Sequence, residues 1–210
     1  MERFWEHSWK RVDPERVAGY VQSIDMAPDA LISALHRHGV KTVCDAGCGC
    51  GAYAMKLAAN GSVCGFDVSS HAVEIAQTLL EKAALAAELK TAGILSTGYA
   101  DGTFDGVVCR DVLDHLPRAE AAAAVKELCR ITKPGGIVIF TLDPLDEEYR
   151  TEPHRVNADG DYVYTAGKWK GMVFHPYTAE TVRAIVPEGT RCEITGTSGE
   201  LTVLLRKNAE

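Results

Sequence analysis

What this sequence lacks narrows it before anything it contains. No apolar run approaches the ~20 residues of a membrane-spanning helix, so no membrane partner is expected. The opening stretch MERFWEHSWKRVDPER has no apolar signal-peptide core, and the expected location is the cytoplasm. Lys and Arg number 22 against 29 Asp and Glu, a net charge of −7, which argues against broad nucleic-acid binding. There is no repeat and no low-complexity linker. The seven cysteines include no C-x-x-C pair. No histidine follows Cys44, Cys48 and Cys50 at zinc-ligand spacing, so no metal is expected. Reduced, buried thiols account for these residues.

What remains is an ordinary soluble balance. The 210 residues are 46% hydrophobic and 24% charged, enough for one domain with a sizeable core. Apolar runs and helical periodicity alternate along the chain. A helix is expected over 28–38, where Leu31, Ile32 and Leu35 share a face and Gly39 is the stop. The strand KTVCDA follows, then a helix over 49–59, then the strand SVCGFD. Ser69 or Ser70 caps a helix running to about Leu85. AELKTAGIL reads as a weak third strand and FDGVVCRDVL as a strong fourth. RAEAAAAVKELCRIT is a helix closed by Lys133-Pro134-Gly135-Gly136, and GIVIFTL is a fifth strand. This alternation implies right-handed crossovers and a mostly parallel sheet. The tail ends in a helix, TAETVRAIV, and two strands joined at Ser198-Gly199, which implies a closing antiparallel pair.

Residues 143–177 break the rhythm. The turn signals ADGD and AGKWKG flank YVYT and MVFH, so a small hairpin is expected to be inserted after the fifth strand. At the other end, FWEHSWKRV places Phe4, Trp5 and Val12 near one helical face. The expected organisation is one domain over 1–210, with an N-terminal lid segment over 1–25 and the inserted hairpin over 143–177.

VCDAGCGCG, from Val43 to Gly51, lies between the first strand and the first following helix. Glycines there let backbone approach a ligand closely. Read as G-x-G-x-x-G/A, the loop matches at Gly47, Gly49 and Ala52, a pattern a dinucleotide site shares. Asp67 ends the second strand, where an acid can hold ribose hydroxyls. Asp45 discriminates. A carboxylate two residues before the first glycine repels a pyrophosphate and suits a ligand cationic at that end.

With those residues in view, the sequence resembles the class I S-adenosylmethionine-dependent methyltransferases. VCDAGCGCG looks like their first motif and GFDVS like their second. YADGTFDGVVCRDVLDHL resembles the fourth-strand segment, and ELCRITKPGGIVIFTLDP the turn before the fifth strand. Four motifs in register over residues 25 to 145 are a strong signal. The resemblance implies a Rossmann-like α/β fold: a seven-stranded, mostly parallel sheet with an antiparallel last strand and helices on both faces. It implies S-adenosyl-L-methionine as cofactor. Asp45 and the backbone of Ala46, Gly47, Cys48 and Gly49 would sit by the methionine part. Asp67 would hold the ribose and Val68 the adenine. The fourth-strand end, with Arg110 and Asp111, would lie under the sulfonium. Many members carry an aspartate after the third strand; here Ile94 or Leu95 takes that place.

His115, after the fourth strand, is the expected base, by position and by a pKa near neutrality. The blander reading is a helix-start or surface histidine. Trp5, His154, Tyr164 and His175 are expected to line the acceptor pocket, against the alternative of a satellite core under a loop. The function implied is methyl transfer to a small-molecule acceptor. The alternatives are a protein or RNA methyltransferase, a nicotinamide-dependent oxidoreductase, and a non-catalytic module that binds the cofactor. No N-P-P-Y-like motif follows the fourth strand, which counts against amino-group methylation of nucleic acid. The acceptor and the oligomeric state are not legible.

Overall fold

Two apolar stretches, TVCDA and FDGVVCR, lie side by side at the centre of a seven-stranded sheet. The structure is a computed structural model and describes residues 2–196 and 200–209. Helices α1 (Glu2–Lys10), α2 (Pro14–Gln22) and α3 (Ala30–Arg37) lead to β1 (Thr42–Ala46), α4 (Ala52–Ala58), β2 (Ser62–Asp67), α5 (Ser70–Lys82) and β3 (Glu88–Thr91). Then come β4 (Phe104–Arg110), a 3-10 turn (Leu113–His115), α6 (Arg118–Ile131) and β5 (Thr132–Leu142). After an insertion, the chain closes with α8 (Ala179–Arg183), β9 (Arg191–Thr195) and β10 (Leu201–Arg206). The strand order is β3-β2-β1-β4-β5-β10-β9. The first five strands are parallel, and β10 runs antiparallel to both β5 and β9. The expected Ser198-Gly199 connection lies outside the described residues.

Central strands buried on both faces read as continuous apolar runs. Val107, Val108 and Cys109 of β4 and Ile137 to Phe140 of β5 are buried. One sheet face packs on α6 through Ala121, Ala124, Val125, Leu128 and Ile131. The other packs on α3 and α4 through Ile32, Leu35, Tyr53 and Leu57. Asp29 joins those two helices. Its Oδ1 accepts from Leu31 N and Ile32 N at 3.0 Å, and from Tyr53 OH at 2.9 Å. Its Oδ2 pairs with Lys56 at 3.2 Å.

Several boundaries differ from expectation for local reasons. The helix expected from Gly49 starts at Ala52, because Gly47, Gly49 and Gly51 have φ of 76°, 51° and 80°. Left-handed residues cannot continue a right-handed helix. The helix after Ser69 ends at Lys82, two residues before Ala84 with φ of 54°. The fifth strand is longer than expected: Thr132 pairs with Phe104, and after a bulge Ile137 pairs with Gly106. Helix α2 was not expected. Its signal is present in Asp13-Pro14-Glu15, where Asp13 accepts from Glu15 N and Pro14 opens the helix.

The insertion is more than a hairpin. α7 (Glu147–Thr151) precedes β6 (His154–Val156), β7 (Tyr162–Tyr164) and β8 (Val173–Phe174), which form a separate three-stranded antiparallel sheet. The strand that was not expected, HRV of β6, is too short and polar to show a period. Tyr164, Met172 and Phe174 are buried in the insertion, and Phe4 and Trp5 of α1 pack onto this small core. Glu6 fixes the other side of α1 by accepting from Ser69 Oγ at 2.7 Å, at the start of α5. Among the described residues no helix is long and apolar enough to cross a membrane.

Gly51 meets two constraints at once. Its φ is positive, and a Cβ there would lie 2.7 Å from Ala76 Cβ and 3.1 Å from Ala76 Cα. Gly51→Ala is expected to destabilise the fold by about 1–3 kcal/mol, read by urea denaturation. An unchanged midpoint would mean that the loop and α5 are not in contact.

Candidate active site

A cavity of about 460 Å³ opens beyond the carboxyl ends of the parallel strands. That is where ligands of open α/β sheets sit, because the loops after successive strands converge there. Gly47 and Gly49 line it after β1, Asp67 and Val68 after β2, and Ala92 to Ser96 after β3. Arg110, Asp111 and Val112 follow from β4, then His115 from the 3-10 turn. α1 covers it with Glu2, Trp5 and Trp9.

The glycine loop is pinned from below. Gly47 N and Cys48 N both donate to Phe66 O, at 2.8 and 2.9 Å, and Gly49 N donates to Asp67 Oδ2 at 2.9 Å. The loop therefore offers a ligand close approach rather than free donors. A Cβ on Gly47 would lie 2.5 Å from Val112 Cγ2, and one on Gly49 3.1 Å from the Trp9 ring. Asp67 also accepts from Ser69 N at 2.9 Å, so the same carboxylate holds the loop and the turn into α5. Burial raises its pKa while these N–H groups oppose the shift.

Asp45 lies under the loop at 2% exposure, and its Oδ2 has no hydrogen-bond partner. Burial is the main reason its pKa is pushed up to about 7; Arg110 opposes this and Asp67 adds to it. A buried carboxylate oxygen without a hydrogen-bond partner is costly, and the charge of Arg110 offsets that cost only in part.

At the end of β4 the backbone is strained. Asp111 has φ of 53°, held by Thr141, whose Oγ1 donates to Asp111 Oδ1 at 2.5 Å. Such strain persists only where neighbours impose it, and it concentrates at functional sites. Arg110 lies 3.8 Å from the Asp111 carboxylate and 4.6 Å over the Tyr53 ring. His115 is 7% exposed, with its ring edge-on to Trp5 at 5.0 Å and to Phe174 at 5.8 Å. Burial lowers its pKa, and Asp143 opposes that shift. The imidazole is therefore neutral at neutral pH and able to accept a proton.

The sequence profile described as "Methyltransferase domain" matches residues 43–136. Magnesium-protoporphyrin O-methyltransferase from Synechocystis sp. is 32% identical over 123 residues, 58% of this chain and 53% of that protein. Ubiquinone biosynthesis O-methyltransferase from Paraburkholderia xenovorans is 36% identical over 104 residues, 48% of this chain and 44% of that protein. The chain spans about half the length of these curated relatives. A methyltransferase structure from Methanosarcina mazei, described as SAM-dependent, superposes with a TM-score of 0.69 at 21% identity, covering 89% of this chain and 100% of that one. The Synechocystis enzyme, solved with bound S-adenosylhomocysteine, superposes with a TM-score of 0.63 at 22% identity, covering 94% and 89%. Residues 43–136 are thus similar to a methyltransferase domain, and nearly the whole chain shares the fold of these solved structures.

Against the family's pattern, the structure brings Gly47, Gly49, Asp67, Val68, Ile94, Leu95, Arg110 and Asp111 onto one cavity wall. His115 and Trp5 stand together at its α1 side. Asp45, Ala46 and Cys48 are buried beneath the wall rather than on it. Three expected acceptor residues lie away from this cavity. Tyr164 is 2% exposed and donates to Tyr149 O at 2.9 Å inside the insertion's core. His154 stacks on Tyr162 with ring centroids 4.4 Å apart. His175 Nδ1 lies 2.9 Å from Asp161 Oδ1. None of the three lines the cavity, because β6, β7 and β8 turn these side chains into their own packing. Glu2 and Trp9 line it unannounced, and Thr141 stands behind the wall, bonded to Asp111. Trp9 sits in an aromatic segment that hinted at a role; the contact of Thr141 depends on a backbone angle that sequence does not show.

Asp45 generates a pH prediction for the ligand-free chain. Its folded pKa, about 7, exceeds the ordinary aspartate value of 3.8. Its contribution is thus full at low pH and is lost as pH rises from about 4 through 7. Asp45→Asn removes that loss. The melting temperature of the variant should gain on the native chain between pH 5 and 7.5, and a constant gap would show that Asp45 is ionised and compensated throughout.

Proposed function

We propose that this chain transfers a methyl group from S-adenosyl-L-methionine to a small-molecule acceptor. The observation that carries the reading is Asp45: a buried carboxylate with an unpartnered oxygen, directly beneath a glycine loop that lies beside Asp67. A pyrophosphate would meet like charge there, whereas a ligand with an ammonium and a sulfonium supplies the missing cation. The residues present therefore fit the cofactor.

Asp45 and the loop from Ala46 to Gly49 would hold the methionine part. Asp67 would take ribose hydroxyls through lone pairs not used by Gly49 N and Ser69 N. Val68, Ile94 and Leu95 offer apolar surface to the adenine. Burial and packing take the place of the family's acidic residue here. When bound, the cofactor supplies a methyl carbon already activated by its sulfonium. The chain's own work is alignment, exclusion of water and proton removal. Alignment contributes on the order of 7 kcal/mol or more. Trp5 and Trp9 of α1 shield the cavity, which supports a lid role for the N-terminal segment. His115 would accept the acceptor's proton, its neutral form favoured by burial. The insertion would act indirectly, by backing His115 with Phe174.

A small acceptor fits the space. The curated relatives are named for a porphyrin and for ubiquinone biosynthesis, both small molecules. The net charge of −7 disfavours RNA.

S-adenosylhomocysteine should stabilise the chain by about 2.7 kcal/mol at a hundredfold excess over its dissociation constant, and NAD should not. A melting shift with NAD alone would overturn the reading. With methyl-labelled cofactor and a mixture of small metabolites, label should pass to the low-mass fraction. Label recovered in added protein or RNA would change the acceptor class.

A further inference from the structure

Thr141 is the one polar side chain in the run from Ile137 to Leu142 of β5. It is 3% exposed and lies between β4 and β10, opposite Arg110 and Thr202. A hydroxyl taken out of water there is costly unless it is hydrogen-bonded. Among the described residues its Oγ1 has one partner residue, Asp111. It donates to Asp111 Oδ1 at 2.5 Å and accepts from Asp111 N at 3.2 Å. Asp111 N also donates to Thr141 O at 3.3 Å. One residue of the neighbouring strand thus holds both the amide and the carboxylate of Asp111.

That grip accounts for the backbone. Asp111 follows β4 with φ of 53°, a region that aspartate enters more readily than most residues, yet still at a cost. Thr141 is β-branched and set inside the sheet, so its hydroxyl cannot follow a moving partner. The turn puts Asp111 on the cavity wall between Val112, which packs on Gly47, and Arg110. With Oδ1 spent on Thr141, Oδ2 is the oxygen left for a ligand. Arg110 lies 3.8 Å from Oδ2, beyond hydrogen-bond distance, and is stacked over the Tyr53 ring.

We propose that Thr141 is a positioning residue that aims the Asp111 carboxylate into the cavity, and that Asp111 so placed selects a ligand positively charged at its sulfur over the same ligand without that charge. The proposal rests on reading the cavity as a site for S-adenosyl-L-methionine. In that reading the glycine loop takes the methionine part, and Val68, Ile94 and Leu95 take the adenine. Asp111 stands between them at the end of the central strand β4, where the sulfur that joins the two parts falls.

The cofactor is a sulfonium before transfer, and the product S-adenosylhomocysteine is an uncharged thioether. A fixed carboxylate beside that sulfur therefore favours the fresh cofactor over the spent one. The attraction weakens as charge leaves the sulfur, so the gain lies in cofactor exchange rather than in the methyl-transfer step. This gives the strained turn and its buried hydroxyl one purpose: a charge held at a set place, which a mobile carboxylate on a relaxed loop does not supply.

The test is calorimetry of S-adenosyl-L-methionine and of S-adenosylhomocysteine, each without acceptor. The two ligands differ by one methyl group and one charge. The native chain should bind the charged ligand more tightly. Asp111→Asn keeps the size and tolerates the same backbone region, and should lower the ratio of the two affinities by about fivefold, the scale of two unit charges in contact in water. Thr141→Val keeps the shape without the hydroxyl and should lower the ratio in the same direction, by about threefold. Thr141→Cys, a weaker donor of similar size, should do the same and stands in if Thr141→Val does not fold. Thr141→Ser should keep the native ratio. Equal weakening of both ligands in the Thr141 variants would make Thr141 merely structural and overturn the proposal. So would an unchanged ratio in Asp111→Asn. A native chain that binds neither ligand would overturn the methyl-transfer reading itself, and this proposal with it.

Discussion

A carboxylate buried beneath the glycine loop with one oxygen unpartnered shapes this molecule. Asp45 is the fourth residue of β1, and β2 and β4 flank it in register at Gly65 and Val108. Gly65 leaves it room: a Cβ there would lie 3.0 Å from Asp45 O and 3.5 Å from Asp45 Cβ. The loop above must then be glycine-rich, because it passes under Val112 and Trp9 in left-handed conformations. The destabilising charge, the strained loop and the open cavity are one arrangement. The folded chain keeps a buried carboxylate oxygen without a hydrogen-bond partner beneath the cavity wall. Stability is given up there in exchange for a pre-formed binding surface.

The sheet and its crossovers were legible because they rest on continuous signals: apolar runs for β1, β2, β4 and β5, and a capped, periodic helix after Ser69. A mostly parallel sheet followed from the alternation of strands and helices, whereas the strand order needed the structure. The insertion was legible only as a break in that rhythm. Its three strands span three, three and two residues, too short for a period of two to emerge. Its aromatic residues suggested a pocket, yet they pack on one another and on Phe4 and Trp5. Composition alone does not separate a binding surface from a satellite core, since both need large apolar side chains.

The site itself divides the same way. Residues carried by motifs, such as Gly47, Asp67 and Asp111, sit on the wall because strand ends fix where loops begin. Residues from flanking segments needed the tertiary structure. Trp9 reaches the glycine loop only because Glu6 fastens α1 to the start of α5. The partnership of Asp143 with Asp114 needs β5 beside β4, a neighbour relation that no local pattern encodes. Metal ligation was discounted from cysteine spacing, whereas the oxygen and nitrogen groups drawn together in the structure come from the turns after β4 and β5.

The account turns on Asp45 meeting a cation when the cofactor binds. The most direct measurement is calorimetry of S-adenosylhomocysteine binding at pH 6.5 in two buffers of different ionisation enthalpy. A carboxylate with a pKa of about 7 is largely protonated at that pH and must ionise beside the ligand's ammonium. Binding should therefore release a substantial fraction of a proton, and Asp45→Asn should release much less. Binding with no proton exchange, or release unchanged in Asp45→Asn, would contradict the account.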